Sequence, residues 1–243
     1  LEYHDTGYTQ SGSLFHAKTR AVEKLMTKAL ASFNLVPRLH YPTGPNQLRA
    51  SDIPGYEAST AGEEESDAAA DTWAWYRKDD ATGSYRFLTE GMQAVAAAIR
   101  ACGGVDGVVG FSQGGAMAAM VAAAMEDKRT PASDVSWARE LREANNGKPL
   151  AFSVVYSGFY APPEDLAWMY EPKIATPTLH FIGSLDTVVD ESRSQGLVDR
   201  CKDPVVVVHP GGHYVPVSKE WAMPLIGFIK QRVESEPSVT MHI

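Results

Sequence analysis

Between Ser13 and Phe33, apolar positions recur near helical spacing at Leu14, Ala17, Ala21, Leu25 and Leu30. Lys18, Arg20, Glu23, Lys24 and Lys28 fill the gaps, which predicts an amphipathic helix. Residues 35–41 (LVPRLHY) read as a short strand broken by Pro37. A long loop follows from Pro42 to about Asp71, with the acidic run Glu63-Glu64-Glu65 inside it. Helical spacing returns over 88–102, then a short strand over 104–111, then a small-residue helix from Ala116 to Met125 in which Met117 and Met120 read as core. The stretch 127–149 is polar and reads as surface, with one helical piece in WARELREA. Three apolar runs, 151–157, 178–182 and 204–209, read as buried strands, and 218–233 as a terminal amphipathic helix. Strands that alternate with helices predict an α/β fold, a mostly parallel central sheet with helices on both faces. No repeat or linker divides the chain, so residues 1–243 are expected to form one domain.

Composition narrows the classes. Hydrophobic residues make up 44% of the 243, enough for a substantial core rather than a disordered chain. Thirty acidic against 22 basic residues give a net charge of -8, with no dense basic run, so nucleic acid is not an expected partner. No run reaches the roughly 18 apolar residues of a membrane-spanning helix. The first residues, LEYHDTGYTQSG, lack the basic and apolar regions of a signal peptide. Cys102 and Cys201 lie far apart and outside any metal-like spacing, which suits free thiols in a reducing compartment. The expectation is a cytoplasmic protein of unspecified oligomeric state.

The sharpest chemical signal is Gly110-Phe111-Ser112-Gln113-Gly114-Gly115, set between a short apolar strand and a helix. Serine flanked two residues away on each side by glycine in that context is a nucleophile elbow: the turn is too tight for side chains at 110 and 114. Its hydroxyl then needs a base, and the base an orienting carboxylate, in the order Ser, Asp, His, each after a later strand. Asp186 follows the strand in TPTLHFIGSLD and His213 follows PVVVVHPGG. Both fall where open α/β sheets place active sites. Asp190 is a rival acid but lies further into the next helix; His209 and His180 lie inside strands. Acyl transfer also needs oxyanion donors, expected from the backbone N–H of Gln113 and of Tyr8 in the loop Gly7-Tyr8-Thr9-Gln10-Ser11-Gly12. The bland alternative for that loop is a turn in which Ser11 or Ser13 caps the first helix.

Other motifs are weak. Neither GxGxxG after a strand nor GxxxxGK[ST] occurs, and no HExxH or Cys/His cluster suggests a metal; no cofactor is expected. Trp73, Trp75 and Tyr214 are candidate substrate-pocket residues, with ordinary packing the alternative for the tryptophans.

The motifs GYTQSGSLFHAKTRAVEK, YPTGPNQLRASDIPG, TWAWYRKDD, GFSQGGAMAA, VVYSGFYAP, PTLHFIGSLDTVV and HPGGHYVP together resemble the FSH-type serine hydrolases of the α/β-hydrolase superfamily, over residues 6–232. The resemblance implies an α/β-hydrolase fold with Ser112 as nucleophile, Asp186 as acid, His213 as base, and oxyanion donors at Tyr8 and Gln113. It implies a serine esterase acting on small-molecule carboxylic esters of short to medium acyl length. The alternative it implies is a thioesterase releasing an acyl or polyketide product from a carrier, with an acyl-carrier or polyketide synthase partner. The chain departs from the family pattern at LEYHDTG, where an apolar first strand ending in His-Gly is short or missing.

Overall fold

The computed structural model describes residues 10–49, 52, 71–127, 129, 135–233 and 240–242. In chain order these form α1 (Gly12–Ala31), β1 (Val36–Arg38), β2 (Asn46–Gln47), β3 (Trp73–Ala74), β4 (Arg77–Lys78), β5 (Tyr85–Arg86) and α2 (Leu88–Cys102). There follow β6 (Gly107–Phe111), α3 (Gln113–Ala124), α4 (Ser136–Ala144), β7 (Phe152–Tyr156), β8 (Thr178–Gly183), α5 (Glu191–Val198), β9 (Val205–His209), α6 (Lys219–Val233) and β10 (Thr240–His242).

The central sheet is parallel, in the order β6-β7-β8-β9. Alternation along β7 sends Phe152, Val154 and Tyr156 into one core and Val155 into the other. The first core is closed by Met26 and Leu30 of α1 and Phe228 and Ile229 of α6; the second by Met92 and Ile99 of α2, Met120 of α3 and Leu141 of α4. Helix α3 is buried on every side, which explains why its sequence, QGGAMAAMVAAA, carries no charge. This is the layered α/β architecture of an α/β-hydrolase.

Several expectations need correction. The buried stripe of α1 is Thr19, Val22, Met26 and Leu30, while Leu14, Ala17 and Ala21 are exposed. Both sets fit helical spacing, and packing against α6 selects the bulkier one. The 127–149 stretch is not simply surface, because Trp137, Ala138, Leu141 and Ala144 of α4 are buried against α2 and α3. The run 204–209 is not a fully buried strand. As the sheet's edge, β9 leaves Val205, Val206 and Val208 exposed. Strand β10, which pairs parallel with β1, had no counterpart in the sequence reading.

On the β6 side the sheet does not continue directly. Ser112 N–H donates to Tyr156 O (2.8 Å), so by alternation the backbone groups of Gly107, Val109 and Phe111 point away from β7. Among the described residues no strand pairs with that edge. Instead it faces a slot of about 210 Å³, bounded across from β6 by Leu39 to Pro42 after β1. Met26 and Ile229 wall one face of the slot, and Ile99 and Met117 the other.

Candidate active site

Three loops at the carboxyl ends of β6, β8 and β9 build the site. Ser112 follows β6 directly, with φ 53° and ψ -117°, a strained backbone for a non-glycine residue. The strain is enforced by contact at Gly110 alone: a Cβ there would lie 1.9 Å from Gly114 O, whereas one on Gly114, expected to be excluded as well, would only touch the Trp75 indole nitrogen at 3.7 Å. Ser112 occupies the N-cap of α3, where a serine oxygen ordinarily accepts a backbone N–H, yet its hydroxyl makes no capping bond. The Oγ is therefore not consumed by helix formation. Gln113 opens α3, and its backbone N–H has no acceptor within the helix.

Asp186 and His213 meet as a buried pair. His213 Nδ1 and Asp186 Oδ2 are 2.7 Å apart, with side chains 4% and 1% exposed. The other carboxylate oxygen accepts the N–H groups of Val188 and Val189, each at 2.9 Å. Burial by itself raises the Asp186 pKa. The bonds from His213, Val189 N–H and Ser157, with the attraction of the imidazole, outweigh it and hold the carboxyl below its ordinary value. An acid held ionised in this way fixes a proton on His213 Nδ1 and leaves Nε2 as the working nitrogen. Nε2 is buried and makes no hydrogen bond, and none joins it to Ser112. The elbow and the imidazole are nevertheless neighbours, since the Phe111 and His213 rings lie 4.6 Å apart. Serine–imidazole bonds are often long before substrate arrives and tighten in the complex.

The rival residues resolve into structural roles. Asp190 caps α5, accepting from Arg193 N–H at 3.1 Å. His180 is buried in β8, and desolvation pushes its pKa down to about 4. Tyr8 lies outside the described residues; Ser11 caps α1, accepting from Leu14 N–H. Of the expected pocket residues, Tyr214 lines a cavity of about 420 Å³ beside His213, together with Phe15 and Phe111. Trp75 lines the slot along β6 instead. Trp73 lines neither cavity, because its indole N–H is bonded to Asp71 (3.0 Å). No described residue of 127–149 lines either cavity.

Sequence reasoning missed two supports. The Gln113 side chain accepts Trp75 N–H (2.8 Å) and donates to Tyr76 O (2.9 Å), tying the elbow to the β3–β4 segment. Ser157, which bonds Asp186, stands just past the carboxyl end of β7, where the rule that located Asp186 and His213 would also have found it. Among the described residues no group of three metal-ligating side chains occurs, and no helix is long and apolar enough to cross a membrane.

An elbow serine on a parallel sheet, with a buried Asp–His pair on two later loops, is the arrangement of the α/β-hydrolase fold. The fold resemblance extends to solved structures: SOBER1 of Arabidopsis thaliana matches with a TM-score of 0.55 and 18% identity, covering 93% of this chain and 94% of that one. The family described as serine hydrolase (FSH1) matches residues 6–225, and the chain belongs to it. Family of serine hydrolases 2 of Saccharomyces cerevisiae is 30% identical over 233 residues, 93% of this chain and 95% of that protein. Esterase OVCA2 of Danio rerio is 28% identical, over 93% and 94% of the two chains. A dihydrofolate reductase of Schizosaccharomyces pombe is 30% identical over 96% of this chain but only 47% of its own length. This chain likewise spans 52% of an uncharacterized hydrolase of that yeast, so it covers about half of these two relatives.

Proposed function

We propose that the protein is a serine esterase that cleaves small carboxylic esters of short to medium acyl length through an acyl-enzyme on Ser112. The observation that carries this reading is the buried 2.7 Å Asp186–His213 pair beside a strained elbow serine whose hydroxyl caps nothing. His213 Nε2 takes the Ser112 proton as Oγ attacks the ester carbonyl, and Asp186 stabilises the imidazolium. The Gln113 N–H, with Tyr8 N–H as its partner, holds the oxyanion. His213 then protonates the departing alcohol; water, deprotonated by His213, releases the acid and restores Ser112.

The pocket beside His213, rather than the slot, suits the acyl group. Its roughly 420 Å³ lies in the usual range of small-ligand sites. The slot along β6, of about 210 Å³, falls below that range. Two free thiols accord with a cytoplasmic setting.

The test is hydrolysis of p-nitrophenyl esters from acetate to palmitate by wild type and S112A. A maximum at short or medium chains that vanishes in S112A supports the reading. Ser112-dependent turnover of acyl thioesters, with esters inert, moves the reaction to the release of a carrier-bound acyl or polyketide product. Turnover independent of Ser112 overturns both.

A further inference from the structure

His209 is the last residue of β9 and 1% exposed, yet it takes no part in the mechanism above. Its Nδ1 accepts the Gly211 N–H at 3.2 Å, which requires a neutral ring with the proton on Nε2. That Nε2 is buried without a partner, so the tautomer is set by the Gly211 bond alone. The ring is held between Tyr214 and Trp221, with centroids 5.3 and 5.9 Å away.

Gly211 is the crossing point of the two catalytic loops. Its C=O accepts Leu185 N–H (3.0 Å), and His209 C=O accepts Ser184 N–H (2.9 Å). Those two bonds stitch the loop bearing Asp186 to the loop bearing His213. The crossing has no slack. A Cβ on Gly183 would lie 2.6 Å from the carbonyl oxygens of Gly211 and Gly212. The His209 ring thus holds the one Gly211 backbone group that the stitching leaves over.

We propose that His209 is a positioning residue for the candidate base: its neutral imidazole, accepting from Gly211, fixes the 209–213 loop so that His213 reaches Asp186. This rests on the reading of Asp186 and His213 as acid and base. Protonation of His209 Nδ1 replaces the acceptor with a donor facing the Gly211 N–H and loosens the crossing. Of the groups around His209, Asp186 on the β8 loop favours that proton; Tyr214 on its own loop and Trp221 of α6 are the rings that pack against it. Burial disfavours the proton more strongly, so the ring stays neutral until the pH drops below the ordinary histidine range.

Two variants separate positioning from packing. His209→Phe keeps an aromatic ring and removes the acceptor; His209→Asn places Oδ1 where Nδ1 stood and does not titrate. A catalytic group misplaced by about 1 Å loses on the order of 10²-fold in rate. His209→Phe is therefore expected to lower kcat at least about 10-fold with little change in KM, and His209→Asn to recover most of it. Above pH 3.8, where Asp186 stays largely ionised, the wild-type kcat/KM should steepen in acid from a one-proton to a two-proton decline, and His209→Asn should keep a one-proton decline. Slow hydrogen exchange at the Gly211 amide should be lost in His209→Phe and restored in His209→Asn. Wild-type kcat in a folded His209→Phe overturns the proposal, as does a two-proton decline in His209→Asn. If His209→Phe does not fold, the His209→Asn pH profile decides. The Gly211 exchange does not depend on turnover, so a Ser112-independent activity would sink the esterase reading while that exchange still judges the role of His209.

Discussion

Strands β6 to β9 pair in unbroken parallel register, whereas β1 pairs with β10, and the segment after β1, Leu39 to Pro42, borders an apolar slot along β6. Each expected catalytic side chain among the described residues lies at the carboxyl end of the continuous part: Ser112 after β6, Asp186 after β8 and His213 after β9. The other part contributes walls rather than reacting groups. The two are joined at the elbow by Gln113, whose amide grips the segment at Trp75 and Tyr76. The comparison teaches that the Asp–His pair needs only the paired strands and the loops between them. The elbow, in contrast, is also tied to the β3–β4 segment through the Gln113 side chain.

The largest effects should come from breaking the paired side. Ser112→Ala is expected to lower kcat by on the order of 10⁶-fold, and ester turnover measures it directly. Asp186→Asn should lower kcat by about 10⁴-fold through loss of the correct His213 tautomer. The same variant carries a stability signature. Asp186 has a folded-state pKa below its ordinary 3.8, so its contribution is present above that value and is lost as the pH falls through the lower folded one. Asp186→Asn should therefore flatten the acid side of a denaturation-versus-pH curve.

A smaller effect probes the junction. Gln113→Ala leaves Trp75 N–H and Tyr76 O without their partner and should cost about 1–3 kcal/mol in urea unfolding. An effect near zero would mean that these two bonds do not hold the elbow to the β3–β4 segment. The smallest concerns the slot. Amides of Val109 and Phe111, which point away from β7, should exchange faster than those of Val108 and Gly110, which point toward it. Equal protection would show that this edge of β6 is paired in solution.

The same contrast explains what the sequence disclosed. The elbow was legible because strand, glycine pair and helix are contiguous, and Gly110 has no room for any side chain. Asp186 and His213 were legible because each follows a continuous apolar run. The apolar run itself was ambiguous: VVVVH reads as buried, but β9 is an edge, and no local pattern says which strand comes last. Trp137 and Leu141 were hidden by the charges between them, since a short polar segment buries a stripe only when α2 and α3 are there to receive it. Trp73 and Trp75 look equivalent in DTWAWYRK, yet a bond to Asp71 takes one away from both cavities. The support from Gln113 and His209 arises from contacts between distant segments, which periodicity does not record.

The central claim is that Ser112 is a nucleophile activated by His213 and Asp186. Reaction with a fluorophosphonate, followed by peptide mass mapping, tests it most directly, because the reagent exchanges its fluoride for an activated serine oxygen. One phosphonate on the peptide containing Ser112, absent in S112A and slow to form in D186N, is the result expected. An unlabelled Ser112, or labelling at equal rate in D186N, would contradict the account.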